Sequence, residues 1–138
     1  MNLENTGWNA LWAKQFETCL RDGLCPARVA CEHRDAYDVV GETGELRAEV
    51  SGRFRYDHMV RAEWPAVGDW VGVTVRPGEG TATIHAVLPR KSRFSRKVTG
   101  EKTEEQIVAA NVDVVFLVSG LDDNFNVRRI ERYLTLAW

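Results

Sequence analysis

The sequence predicts a mainly β protein: a small barrel of five short strands, preceded by a short helix and followed by the opening of an α/β unit. Two changes of hydrophobic period carry that expectation. The spacing is helical up to Gly23, alternates along short runs from Leu24 to Leu88, and becomes continuously apolar at Val114 to Val118 before turning helical again. Turn chemistry is the third observation. Thr43 with Gly44, and the run Arg76, Pro77, Gly78, Glu79 and Gly80, suit tight connections between the alternating stretches.

The first element is NALWAKQFETCLRDG. Leu11, Trp12, Phe16, Cys19 and Leu20 recur at helical steps, Asn9 stands where a helix begins and Gly23 where one stops. Lys14 and Arg21 are balanced by Glu17 and Asp22, so the polar side has no basic face of the kind that favours a membrane surface, and the helix reads as a cap on the next domain. The runs LCPARVACEH, AYDVVG, ELRAEVSG, DWVGVTV and TATIHAVL then supply the strands. Val71, Val73 and Val75 point to one side of their strand, and Ile84, Ala86 and Leu88 to one side of theirs. Closing such half-apolar strands into a barrel gives them a common core and removes the edges. An OB fold, an SH3-like barrel and a small sandwich all satisfy this periodicity.

Beyond residue 100, KTEEQIVAANVD reads as a short helix or turn, VDVVFLVSG as a strand covered on both faces, and NVRRIERYLTLAW as a helix. In the last, Val127, Ile130, Leu134 and Ala137 form the apolar stripe, and Asp122 to Asn126 supply polar start residues. One strand and one helix cannot bury both layers of an α/β domain, so this unit is expected to be incomplete, with Val114 to Leu117 open to non-native association.

With 138 residues, 44% hydrophobic and 28% charged, the chain suffices for one globular domain or for a compact domain and part of a second. Its formal net charge of -2 gives no overall attraction for polyanions, so any nucleic-acid binding must come from local clusters. No long apolar span occurs, and the start MNLENTGWNALWAKQFE has neither the basic region nor the apolar run of a secretory signal; a soluble cytoplasmic protein with no membrane partner is expected. Three cysteines, Cys19, Cys25 and Cys31, leave one unpaired in any intramolecular scheme, which fits a reducing compartment. Cys25, Cys31 and His33 can be drawn as a ligand set but lack the paired-cysteine spacing of a structural zinc module.

Catalytic patterns are missing from the sequence. Phosphate-loop chemistry needs GxxxxGK followed by Ser or Thr; VTGEK lacks that spacing, and VSGLDDN has no phosphate cradle. Asp122 and Asp123 read as helix-start residues rather than metal ligands. His33, His58 and His85 lie in separate elements without a nucleophile motif, so no catalytic residue and no cofactor site is assigned.

Binding has better support. SGRFRY, read as strand-like, alternates Arg53 and Arg55 with Phe54 and Tyr56, so cations for phosphates and rings for stacking fall on opposite sides, the rings facing either bases or the core. LPRKSRFSRK brings Arg90, Lys91, Arg93, Arg96 and Lys97 around Phe94, between the last barrel strand and the α/β start, where it serves as connector and phosphate contact together. The RNA-contact set is therefore Arg53, Arg55, Arg90, Lys91, Arg93, Arg96 and Lys97, with Phe54, Tyr56 and Phe94 as stacking candidates. Glu104 and Glu105 are expected off that face or in local ion pairs.

PARV, SGRFRY, PAVGDW, LPRKSRFSRK and above all EEQIVAANVDVVFLVSGLDDNFNVRRIERYLTLAW together resemble the ribosome small-subunit-dependent GTPase A family. The resemblance implies an N-terminal OB domain at 24–88 behind a helical cap at 1–23, a basic connector at 89–106, and the beginning of a circularly permuted GTPase domain at 107–138. It further implies GTP hydrolysis during late maturation of the small ribosomal subunit, docking on that subunit and its 16S-type ribosomal RNA, and GTP, magnesium and zinc in the whole protein. The family's base-reading motif and phosphate loop have no counterpart here, so this segment is expected to be inactive alone. A protein-binding regulatory barrel, with the basic run acting only as a hinge, is the competing reading.

Overall fold

The computed structural model describes residues 2–100 and 102–138. A 3-10 turn at Leu3–Thr6 leads into α1 (Ala10–Gln15) and α2 (Glu17–Arg21), followed by β1 (Cys25–Glu32), β2 (Tyr37–Gly41), β3 (Gly44–Val50), α3 (Gly52–Asp57), β4 (Trp70–Arg76) and β5 (Thr81–Val87). The remainder comprises β6 (Arg93–Val98), β7 (Glu104–Ala110) and α4 (Val127–Ala137). Strands β1 to β5 close a barrel in the order β1-β2-β3-β5-β4, and β6 and β7 form a separate two-stranded sheet. Pairing is parallel between β3 and β5 and antiparallel elsewhere in the barrel. This closed five-stranded barrel, with a helix between its third and fourth strands, has the OB-fold architecture.

Strand β3 shows why the barrel forms. Leu46, Ala48 and Val50 are buried while Glu45, Arg47 and Glu49 are exposed, the two-residue period that one sheet face against a core demands. Ala27, Val29, Val39, Val71, Val73 and Ile84 fill the interior, and Phe54 from α3 packs with them. Asn9 caps α1, its side chain accepting from the amides of Leu11 and Trp12. Trp12, Phe16 and Cys19 join Leu3, Leu24, Trp70 and Leu88 in a second apolar cluster, whereas Leu11 and Leu20 are exposed. The cap thus packs outside the barrel wall, and burial there pushes the Cys19 thiol above its ordinary value, with Asp22 adding to the shift.

Five local expectations are corrected. SGRFRY is helical, because Ser51 stays extended and its hydroxyl accepts from the Phe54 amide at 3.0 Å, starting α3. Residues 93–98 form a strand rather than a connector, and the run read as a helix or turn supplies its partner β7; Arg96 donates to Gln106 at 3.0 Å and Lys97 stands opposite Glu105. Ile84, Ala86 and Leu88 do not share a face. A bulge at His85 lets Ile84 and Val87 pack on the barrel core while Ala86 and Leu88 meet the cap. Finally, 114–118 is not a strand: among the described residues no strand pairs with it, and Val114, Phe116 and Val118 are 67%, 86% and 92% exposed. Helix α4 does form where expected, with the Asn126 side chain accepting from the Arg129 amide.

The hairpin is fastened to the barrel by polar groups. Asp69 is fully buried and accepts from Arg90 through both carboxylate oxygens, with Nη2 at 2.7 Å from Oδ2 and Nε at 2.9 Å from Oδ1. The remaining Arg90 donors reach the carbonyls of Ala62 and Trp64 at 2.8 Å each. Beside this pair, Asn111 donates to the Gly68 carbonyl at 3.1 Å, accepts from the Lys91 amide at 2.8 Å, and gives its own amide to the Ser92 carbonyl at 2.8 Å. Arg28 donates to the carbonyls of Thr6, Gly68 and Asn111, joining the N-terminal turn to the same hub. Gly68 is obligatory at this point: φ is 93°, and a Cβ there would lie 2.0 Å from the Ala110 carbonyl oxygen.

Replacing Asp69 by Asn leaves a largely buried guanidinium without its counter-charge and is expected to lower the unfolding free energy by roughly 3 kcal/mol. Urea denaturation measures this, and a loss comparable to that of an exposed carboxylate would contradict the role assigned to the pair.

Candidate nucleic-acid interface

Helix α3 divides the residues of SGRFRY by helical geometry. Phe54 is 3% exposed and its ring stacks on His58 with centroids 4.0 Å apart, so it is a core plug rather than a base-stacking ring. Tyr56, by contrast, is 82% exposed. Arg53 is held only by a loose 3.6 Å pair with Asp57, one turn along, with 92% of its side chain in solvent. Arg55 lies over the Trp64 ring at 5.6 Å and Arg61 over the same ring at 4.6 Å, while Arg61 also meets Glu32 at 3.1 Å. Met59 and Val60 project beside them, 86% and 59% exposed. A tryptophan with two guanidiniums and an exposed tyrosine thus gather on one excursion between β3 and β4.

The second predicted cluster separates into distinct roles. Arg90 is committed to Asp69 and is removed from the set of accessible cations. Lys91 lies 5.8 Å from the Trp12 ring, Arg93 pairs with Glu105 at 3.5 Å, and Arg96 is bonded to Gln106. Glu105 also accepts from the Ser95 hydroxyl at 2.8 Å, which places it in the expected local ion pairing. Phe94 is half-buried opposite Ala109, and Lys97 is exposed. Arg93, Arg96 and Lys97 therefore stand along a rigid strand, where their spacing is set by the pleat.

An open groove of about 690 Å³ runs between the barrel and this hairpin, lined by His58, Glu63, His85, Arg90, Lys91 and Arg93 among others. Glu63 is the only acidic residue among its lining. His58 bonds the Phe54 carbonyl at 3.0 Å and His85 the Thr74 hydroxyl at 2.9 Å, so both imidazoles are anchored at the groove. Three basic side chains, Arg90, Lys91 and Arg93, thus line the groove beside one carboxylate.

Sequence reasoning missed Trp64, His58 and His85 as parts of this surface. The visible signal was Trp64 within three residues of Arg61, but only the fold brings Arg55 to the same ring. The drawn metal set is also corrected. Cys25 and Cys31 lie at the two ends of β1, roughly 20 Å apart at about 3.3 Å per residue, whereas Cys31 and His33 are joined by Asp38, with one donor atom from each within 4.8 Å of the others. No helix among the described residues is long and apolar enough to cross a membrane.

Comparisons with known proteins agree with this architecture. The family model described as RsgA GTPase matches residues 87–138. A small ribosomal subunit biogenesis GTPase RsgA of Opitutus terrae is 46% identical over 145 aligned positions, covering 99% of this chain and 40% of the relative. That of Syntrophotalea carbinolica is 41% identical, covering 99% and 39% respectively. The chain therefore spans about two fifths of the length of these relatives. Among solved structures, YjeQ from Thermotoga maritima superposes with a TM-score of 0.54 at 28% identity, covering 83% of this chain and 37% of that one. YloQ, described as a circularly permuted GTPase, shares the fold with a TM-score of 0.52 at 18% identity.

Tyr56 and Phe54 give a direct test of the division on α3. Phe54→Ala is expected to cost about 3–5 kcal/mol of stability, as removal of a buried aromatic does, whereas Tyr56→Ala leaves the thermal midpoint within error. Paired melting curves check both, and equal losses would contradict the assignment.

Proposed function

The chain belongs to the RsgA GTPase family, as its N-terminal barrel region, and from that premise we propose that it is the segment through which such a GTPase docks on the RNA of the small ribosomal subunit. The observation that carries the reading is the coexistence of exposed Arg53, Arg55 and Tyr56 on α3 with exposed Lys91, Arg93, Arg96 and Lys97 on and before β6, of which Lys91 and Arg93 line the groove, in a chain of net charge -2. Exposed cations clustered locally on a slightly acidic protein provide attraction for phosphate without making the whole molecule sticky.

In this reading the barrel positions and the remainder of the protein reacts. GTP hydrolysis to GDP and phosphate, with magnesium at the phosphates and zinc elsewhere in the protein, is assigned to the parts of the relatives that this chain does not span. Of the described residues, none forms the Gly-rich loop, Lys and Ser or Thr set that a nucleoside triphosphate needs, so no step of hydrolysis is assigned to them. The 114–118 run and α4 are the start of the GTPase domain, their exposed apolar side chains awaiting its other strands. A cytoplasmic setting follows from the ribosomal partner. The hinge alternative is disfavoured by the bonding of the basic run: a segment paired through β6 and β7, with Arg90 fixed to Asp69, is suited to transmit a position rather than to flex.

The test is binding of the chain to purified small ribosomal subunits across a salt series, beside a variant with Arg53, Arg55, Lys91, Arg93, Arg96 and Lys97 changed to Glu; Arg90 is left intact to preserve the fold. Binding by the parent chain that weakens steeply with salt, and its loss in the folded variant, are expected. Equal affinity of the two chains would refute the assignment.

A further inference from the structure

The turn joining β1 to β2 carries a constellation that RNA docking leaves unused. A bulge at Ala30 shifts the register so that Cys31 stands opposite Asp38. The His33 amide donates to the Ala36 carbonyl at 2.8 Å, closing the turn and returning the imidazole to Asp38, where Nε2 lies 2.7 Å from Oδ2. The Cys31 sulfur makes only a long 3.9 Å contact with the Glu32 carbonyl. One thiol, one imidazole and one carboxylate thus converge, their ligand atoms all within 4.8 Å of one another.

We propose that Cys31, His33 and Asp38 form a three-ligand site for a borderline-soft divalent cation, Zn²⁺ being the best match. Sulfur, nitrogen and oxygen donors in one small set suit zinc, whereas calcium and magnesium call for oxygen alone. With metal bonds of about 2.0–2.3 Å, tetrahedral ligands stand roughly 3.3–3.8 Å apart, so no pair has to close by more than about an ångström, while the His33–Asp38 pair, hydrogen-bonded at 2.7 Å, must open to admit the ion. Two partners fix Asp38 in place for the role, His33 at Oδ2 and Arg47 at Oδ1. Arg47 bonds Oδ1 at 2.8 Å, which orients the carboxylate, and the ion takes the place of the His33 hydrogen bond at Oδ2.

His33 and Asp38 are 38% and 40% exposed, so the ion enters from solvent and water completes the coordination. On binding, the Cys31 S–H bond breaks and its proton passes to solvent, the hydrogen shared by His33 Nε2 and Asp38 Oδ2 is displaced to His33 Nδ1 or to solvent, and sulfur–, nitrogen– and oxygen–metal bonds form with no change of oxidation state. The bound ion would tie both strands of the turn together at the barrel's end.

Co²⁺ alone, titrated into the whole chain, reads the ligands directly through a thiolate-to-cobalt charge-transfer absorption and the intense visible bands of tetrahedral coordination. Both are expected, with Zn²⁺ displacing Co²⁺. Cys31→Ser should abolish the charge-transfer band, His33→Gln should weaken affinity at least tenfold, and Cys19→Ser and Cys25→Ser should leave the spectrum unchanged; circular dichroism verifies that each variant folds. Failure of the parent chain to develop the band with cobalt in excess, or a band that survives Cys31→Ser or vanishes with Cys25→Ser, would overturn the proposal.

Discussion

A buried carboxylate governs how this molecule is put together. Asp69 sits at the entrance to β4 with no exposure, and its counter-charge comes from Arg90, on the far side of the β4–β5 hairpin. Burying the pair is tolerable because Arg90 also donates to two backbone carbonyls and Asp69 accepts the Ala66 amide, so the charges and donors are satisfied together. The consequence reaches beyond the barrel. Once Arg90 is fixed, Lys91 and Ser92 are brought to Asn111, and β6 and β7 leave the barrel in one orientation.

Gly68 and Asn111 complete that joint by shape. The glycine admits the Ala110 carbonyl where any side chain would collide, and Asn111 adopts φ 55°, the left-handed conformation that asparagine tolerates better than most residues. These residues fall within PAVGDW and ANVD, two of the segments that carry the family resemblance. Their chemistry explains that coincidence: each supplies half of a barrel-to-hairpin joint.

The barrel was legible because its strands obey a two-residue period and its turns use glycine where the backbone needs positive φ, as at Gly44, Gly78 and Gly80. Alternation misled at SGRFRY, where an N-capping serine outweighed a strand-like pattern, and at His85, where a bulge reversed the faces beyond it. The basic run was visible as charge but its inner division was hidden. Arg90 looks like its neighbours in sequence, and only the distant Asp69 marks it as structural, a contact across 21 positions that local patterns do not encode. The same limit applied to Trp64 and to Asp38, whose partners arrive through tertiary folding. At 114–118 the apolar pattern spoke for a strand, yet a strand exists only with neighbours to pair, and among the described residues none is placed there.

Fastened through Arg90, Gly68 and Asn111, the β6–β7 hairpin is expected to move with the barrel, so that cations from α3 and β6 keep a fixed spacing. Native-state hydrogen exchange at the Ala110 amide, which donates to the Val67 carbonyl across the joint, reads this contact. Protection matching that of the Val29 and Leu88 amides in the barrel is the result this account predicts. Exchange as fast as that of the unpaired 114–118 segment would contradict it.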